Sequence, residues 1–304
     1  MRDPFRLLLV GGLGLLLSFA SPAVLLVEAS SIAVGKSSVT LELRGKTIPV
    51  FLYKPESFKG ERILVVMHGV NRNAEEYRDH AEKMGDRFGA LIVTPLFDTK
   101  QFPSVKYQRG GVVDKENRVQ PRDEWTYLLI PEIVDGIRDL ENKRDIPFYV
   151  IGHSAGGQFV VRMSALLNTG AKRLVASNPG SLIFPTRDSP FGYGFGGLPD
   201  ELSSDEQLKN FLSAPLTLYV GTDDNKPDEY FDDSADAMKQ GGGRYQRSHS
   251  CFEMAKRLAE SKGWPFAWRI VDAPGIGHDH EMMFNHDMCG QALFGDESPM
   301  HDQR

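Results

Sequence analysis

The chain carries no excess of positive charge: 35 Lys and Arg stand against 41 Asp and Glu, a formal net charge of −6. A surface of that sign argues against a nucleic-acid backbone as partner and leaves small molecules or neutral polymers open. Beyond the apolar run Leu7 to Ala20 there is no second run long and apolar enough to cross a bilayer. Cysteine is scarce, with only Cys251 and Cys289. One pairing at most is available, and neither thiol lies near the N-terminal run, which argues against a lipoprotein anchor there. No internal repeat and no low-complexity linker divides the chain. The acidic run Asp228, Glu229, Asp232, Asp233 and Asp236 lacks the spacing of an EF-hand loop and reads as a solvated loop. His278-Asp279-His280 has the residue types of a metal site, but no matching ligand cluster appears elsewhere. No metal and no cofactor is therefore expected.

What is present starts with the leader. Arg2 and Arg6 precede the run Leu7–Ala20, and a short basic lead followed by an apolar stretch of this length is a secretory signal. Cleavage after Ala20, Ala23 or Ala29 fits the small residues there, and Ala29 is preferred. Residues 1–29 are expected to be a removed signal peptide and residues 30–294 a single domain. The protein is then secreted or periplasmic, with no stable membrane insertion; the competing reading is an uncleaved anchor. The tail 295–304 is expected to be disordered.

Alternation in Val39–Leu43 and Thr47–Tyr53 predicts an antiparallel hairpin. From Arg62 onward, short apolar runs alternate with helical stretches. Strands are expected at Arg62–Gly69, Ala90–Thr94, Phe148–Ile151, Arg173–Ser177, Leu216–Val220 and Ala267–Val271. Helices are expected at Ala74–Phe88, Glu124–Asn142, Gly156–Leu167, Asp200–Leu212, Tyr245–Ser261 and Asp279–Leu293. Continuous apolar strands separated by helices make an α/β protein, its sheet mostly parallel and covered on both faces. The long stretch Phe97–Arg122 and the Phe- and Gly-rich stretch 183–199 read as functional loops, the second as a lid or pocket wall.

One stretch organises the rest. Phe148-Tyr149-Val150-Ile151 runs as a strand into Gly152-His153-Ser154-Ala155-Gly156, and a helix follows at once. A serine on so sharp a strand-to-helix turn is forced outward, and a Cβ at Gly152 or Gly156 would collide with a neighbouring element. The pattern alone is weak; its position between strand and helix is the signal. Three further groups directly follow predicted strands: His68-Gly69-Val70, Asp223-Asp224 and His278. In open parallel sheets such groups meet at the carboxyl ends of the strands.

From roughly Ile63 to Phe284 the chain resembles the α/β-hydrolase fold family, and within it secreted esterases of the polyhydroxyalkanoate-depolymerase and feruloyl-esterase type. The resemblance rests on His68-Gly69, on Gly152-x-Ser154-x-Gly156, on an acid after a late strand, on Gly277-His278, and on the order Ser, Asp, His. It implies a serine hydrolase that cleaves carboxylic esters of small molecules or polymers. A serine hydroxyl needs a base, and the base needs a carboxylate to hold its tautomer. The resemblance implies Ser154 as nucleophile, His278 as base and Asp224 as acid, with Asp223 the alternative acid. His280 is a rival base expected to enter the following helix, and His68 is expected to hold the oxyanion loop. The backbone N–H groups of Val70 and Ala155 are the implied oxyanion hole. Val70-Asn71-Arg72-Asn73 is not the glycine-rich stretch of lipases, so only its position carries over. The family's layout also puts Cys251 and Cys289 on opposite faces of the sheet, too far apart to pair. A serine peptidase on the same fold and a non-catalytic binding protein remain the alternatives.

Overall fold

The computed structural model describes residues 31–295, so the expected signal peptide at 1–29 and nearly all of the expected disordered tail lie outside the described residues. β1 (Gly35–Leu43) and β2 (Lys46–Lys54) form the expected hairpin. Both turn residues are left-handed, Arg44 at φ 51° and Gly45 at φ 68°, the geometry whose twist matches that of paired strands. Six more strands follow: β3 (Ile63–Met67), β4 (Leu91–Pro95), β5 (Phe148–His153), β6 (Leu174–Ser177), β7 (Leu216–Gly221) and β8 (Arg269–Ala273). Their spatial order is β1-β2-β4-β3-β5-β6-β7-β8. The hairpin joins β4 antiparallel, and every pair from β4 to β8 is parallel.

The helices are α1 (Ala74–His80), α2 (Glu82–Phe88), α3 (Ser104–Tyr107), α4 (Leu129–Leu140), α5 (Ala155–Leu166), α6 (Asp200–Ser203), α7 (Asp205–Leu212), α8 (Ala235–Gln240), α9 (Arg244–Lys262), α10 (His280–Asn285) and α11 (Met288–Phe294). Period-two alternation along the strands splits the core in two. Ile63, Val65 and Met67 of β3 pack with residues of α4, α5, α7 and α9 on one face. Leu64 and Val66 pack with α1, α2, α10 and α11 on the other. Cys251 belongs to the first cluster and Cys289 to the second, both free and buried, so the sheet separates them.

Several expected helices are divided. Ala74–Phe88 divides at Ala81, a turn residue whose backbone (φ −91°, ψ −1°) lies at the edge of the helical region. The expected apolar side, Tyr77, Ala81, Met84 and Phe88, is nevertheless buried throughout. Asp200–Leu212 divides at Ser204, which turns extended and caps α7 by accepting from the Gln207 N–H. Asp279–Leu293 divides at His286, which is extended and accepts from the Met288 N–H. Glu124–Asn142 opens as two short 3-10 turns around an extended Trp125, and the α-helix starts only at Leu129. Helix α8 was not anticipated.

The stretches read as functional loops are largely core. Phe97, Phe102 and Tyr107 are fully buried, and Phe184, Phe191 and Phe195 join the same cluster. Segment 183–199 is pinned rather than poised to swing. The buried Arg162 guanidinium on α5 donates to the Gly192 carbonyl at 2.9 and 2.6 Å and to Ser181 Oγ at 3.1 Å.

Candidate active site

Ser154 sits where β5 gives way to α5, at φ 56° and ψ −114°, a conformation that side-chain-bearing residues rarely adopt. Close packing dictates the flanking glycines. A Cβ on Gly152 would lie 2.4 Å from the Gly156 carbonyl oxygen, and one on Gly156 would lie 2.3 Å from the Met67 carbonyl oxygen. The same contact brings the end of β3 against the start of α5. The Val70 turn that follows β3 is closed by the Arg72 N–H donating to the Gly69 carbonyl at 3.3 Å. Ala155 opens α5, where N–H groups have no acceptor within the helix.

His68 braces this turn from below. It is fully buried and stacks on Tyr107 at 4.8 Å. Its Nε2 accepts from the Phe97 N–H at 3.1 Å, so Nδ1 carries the proton and donates to the Gly69 carbonyl at 3.0 Å. Burial pushes its pKa down to about 3, and it stays neutral.

The two candidate acids separate cleanly. Asp223 is exposed, with its carboxylate accepting from the neighbouring Thr222 hydroxyl. Asp224 is 2% exposed, and its Oδ2 lies 2.7 Å from His278 Nδ1. The other oxygen, Oδ1, accepts from Arg244 Nη1 at 3.1 Å. Arg244 also donates to Asp228 at 2.8 Å. The acidic run lies at the surface as expected, with Asp228, Glu229 and Asp233 exposed, yet Asp228 shares a buried cation with Asp224, and Asp232 accepts from the Tyr193 hydroxyl at 2.9 Å. With Nδ1–H donating to Asp224, Nε2 of His278 is left as the acceptor.

The loops bearing these groups are laced together. The Asp223 N–H donates to the Ile276 carbonyl at 3.0 Å, and the Thr222 N–H donates to the Ala273 carbonyl at 3.1 Å. The Ser154 N–H donates to the Ser177 carbonyl at 3.0 Å, and the next residue, Asn178, spans the remaining gap. Its amide donates to the Gly277 carbonyl at 3.0 Å, and its side-chain oxygen accepts from the Gly221 N–H at 2.8 Å. No motif pointed to Asn178 or Arg244. Asn178 follows a strand within Asn-Pro-Gly, a pattern that reads as a turn and nothing more; Arg244 had no sequence signal.

His153, beside the serine, turns its ring toward the α1 and α10 side of the sheet. It lies 4.6 Å from the His278 ring, and its Nδ1 is 3.4 Å from the Tyr77 hydroxyl. Burial first, and the neighbouring His278 second, push its pKa well below the ordinary histidine value. His280 is the first residue of α10, capped by Asp279, rather than a partner of the acid. A cavity of about 500 Å³ opens near Leu166, Asn168, Leu174 and Pro215, at the amino ends of β6 and β7, and none of the site residues lines it.

Known structures share this arrangement of strands. The poly(aspartic acid) hydrolase-1 of Sphingomonas sp. KT-1 matches with a TM-score of 0.78 at 31% identity, over 83% of this chain and 96% of that one. The poly(3-hydroxybutyrate) depolymerase of Bordetella parapertussis matches at 0.76 and 30%, over 83% and 88%. The chain belongs to this family of α/β-hydrolases. It is accordingly a hydrolase of the esterase and depolymerase type. The α/β-hydrolase fold extends further, to an S-formylglutathione hydrolase of Staphylococcus aureus with a TM-score of 0.52 at 13% identity. No family model matches the chain, and no curated protein matches it.

Proposed function

We propose that this α/β-hydrolase cleaves carboxylic esters through an acyl-enzyme on Ser154, with His278 as general base and Asp224 as the orienting acid. The observation that carries the reading is the 2.7 Å contact between a buried carboxylate and His278 Nδ1, in a loop laced through Asn178 to the end of β6, where Ser177 accepts from the N–H of the strained serine. In the first step the Ser154 hydroxyl attacks the ester carbonyl while His278 Nε2 takes its proton. The tetrahedral oxyanion is met by the N–H groups of Val70 and Ala155. His278 then returns the proton to the leaving alcohol, and water repeats the sequence to release the acid. Asp224 fixes the Nδ1–H tautomer and stabilises the imidazolium. Asp223, exposed and turned to Thr222, takes no part.

The substrate class follows the similar proteins, whose names specify poly(aspartic acid) and poly(3-hydroxybutyrate). Both are chains of repeated acyl links, so an oligomeric or polymeric ester is the proposed substrate. Poly(aspartic acid) is joined by amide links, and amides belong in the same panel. The test is fluorophosphonate labelling of the mature protein, then turnover of p-nitrophenyl esters, poly(3-hydroxybutyrate) film, feruloyl esters and poly(aspartic acid). Labelling at Ser154 with ester turnover supports the reading. A protein that binds these polymers yet takes up no label is a binding module, and one that cleaves only amides is a peptidase.

Export through the Leu7–Ala20 leader belongs to the same proposal, and N-terminal sequencing of the native protein tests it. Among the described residues no helix is long and apolar enough to cross a membrane.

A further inference from the structure

Away from the serine, the fold brings together side chains of metal-ligand type that stand 200 residues apart in sequence. Glu76 and His80 lie one turn apart on α1, and His280 opens α10 opposite them. One ligand atom from each lies within 4.8 Å of the other two. The expectation of no metal site rested on the lack of a second ligand cluster to match His278-Asp279-His280; α1 supplies one.

We propose that Glu76, His80 and His280 form a binding site for a zinc-class divalent ion, with water in the fourth position. Two imidazoles and one carboxylate suit zinc and its transition-metal neighbours, whereas calcium and magnesium take oxygen ligands. The (i, i+4) spacing of Glu76 and His80 puts both on one helix face.

Three features show the ligands already held in place. His80 presents Nδ1 to the cluster, 2.8 Å from His280 Nε2, while its other nitrogen, Nε2, is 3.5 Å from the Glu281 carboxylate. A carboxylate behind a ligating histidine is the usual outer support of a metal site, because it fixes the tautomer and the ring. Tyr77 stacks on the His280 ring at 3.9 Å and 3°. The Asn73 amide donates to the Glu76 carboxylate at 2.8 Å.

Without an ion, the two facing nitrogens share one proton. A zinc ion would replace that proton, and bonds of about 2.0–2.1 Å in tetrahedral geometry would set the nitrogens roughly 3.3 Å apart. The rings need to part by only about half an ångström, and both are half-buried, within reach of solvent. Since α10 begins two residues after His278, the ion would tie the catalytic loop to α1 without touching the serine.

The experiment is zinc titration of the chelator-treated full chain by calorimetry and thermal melting. One ion per chain is expected, with a rise in Tm of roughly 5 °C or more at a hundredfold excess over Kd. Cobalt should give visible absorption bands of four-coordinate type. His80→Ala and Glu76→Gln should each weaken binding by at least tenfold, and Glu281→Gln by about tenfold, as loss of an outer support does. His278→Ala should bind zinc as the parent does. Zinc lost in His278→Ala but kept in His80→Ala would place the ion on the Asp224–His278 pair and overturn the proposal, as would the absence of stoichiometric binding. Should His80→Ala fail to fold, His280→Gln is read by the same titration.

Discussion

Replacing Asp224 by asparagine isolates what its charge does. The side chain keeps its size, and its carbonyl oxygen still accepts from Arg244, but an uncharged NH2 replaces the carboxylate oxygen that faces His278 Nδ1 at 2.7 Å. Opposite charges about 4 Å apart in an effective dielectric of about 20 interact by about 4 kcal/mol, roughly a thousandfold in rate if the imidazolium forms only in the transition state. An amide in the carboxylate's place also favours the wrong histidine tautomer, and the combined loss should approach 10⁴ in kcat. Stability should suffer less. Arg244 retains Asp228, so the buried cation is not orphaned, and a cost of about 2 kcal/mol is expected, below the 3–5 kcal/mol of breaking a buried pair outright. The assay is single-turnover hydrolysis of p-nitrophenyl butyrate, with Asp223→Asn as control, and melting curves for both variants. Asp223→Asn should stay within about threefold of the parent, as surface changes remote from the chemistry do. An Asp224→Asn enzyme that turns over within tenfold of the parent refutes the assigned role. If Asp223→Asn then falls instead, the acid is Asp223.

Four further outcomes are expected. Ser154→Ala should lower kcat by on the order of 10⁶. Ser154→Gly should be as inactive yet more stable than Ser154→Ala by about 1 kcal/mol, because relieved strain of about 1–3 kcal/mol exceeds the entropy cost of glycine; equal melting temperatures would mean that the turn stores no strain. Gly156→Ala should cost about 3 kcal/mol or more, since its Cβ would meet the Met67 carbonyl and no flexible side chain can give way; a Tm drop of under 2 °C would show that the start of α5 yields freely. Stability should also fall in mild acid. His68 and His153 have folded pKa values below the unfolded value of about 6.5, so the unfolded chain binds protons that the native protein refuses, and stability is lost as pH falls below that value. At pH 5 His68 contributes a loss of about 2 kcal/mol relative to pH 7.5 and above, His153 adds to the loss in the same direction, and a melting temperature unchanged between those pH values contradicts their burial as neutral rings.

The fold was legible because its signals are short-range. Continuous apolar runs such as Ile63–Met67 announce strands buried on both faces, and each side chain's parity along the strand decides which half of the core it joins. Helix interruptions were not legible in the same way. Ser204 and His286 end one helix and open the next while the apolar pattern runs on across them, and periodicity alone averages over such a break. The stretches Phe97–Arg122 and 183–199 read as functional loops for a related reason. Composition reports that Phe102, Tyr107 and Phe191 are apolar, but only tertiary packing decides whether they line a cleft or fill the core, and here they fill it.

The candidate site divides along the same line. Ser154 is marked by its own turn, because a strained backbone needs glycines at fixed offsets and those can be read in sequence. Asp224 could not be told from Asp223 by spacing, since the choice depends on which side of one turn faces the next loop. That loop is set by contacts between distant strands. Asn178, just past the strand next to the serine's, bonds at once to the end of β7 and to the loop after β8. Burial makes those bonds costly to leave unmade, about 1–3 kcal/mol for each orphaned group. A residue that takes no part in the proposed chemistry therefore helps to fix the loops that carry Asp224 and His278. A parallel sheet brings catalytic groups to one edge, but its strand ends diverge with the twist, and cross-links of this kind hold three separate loops in one register. Such links carry no pattern in sequence, because any asparagine in a turn looks the same until its neighbours are known.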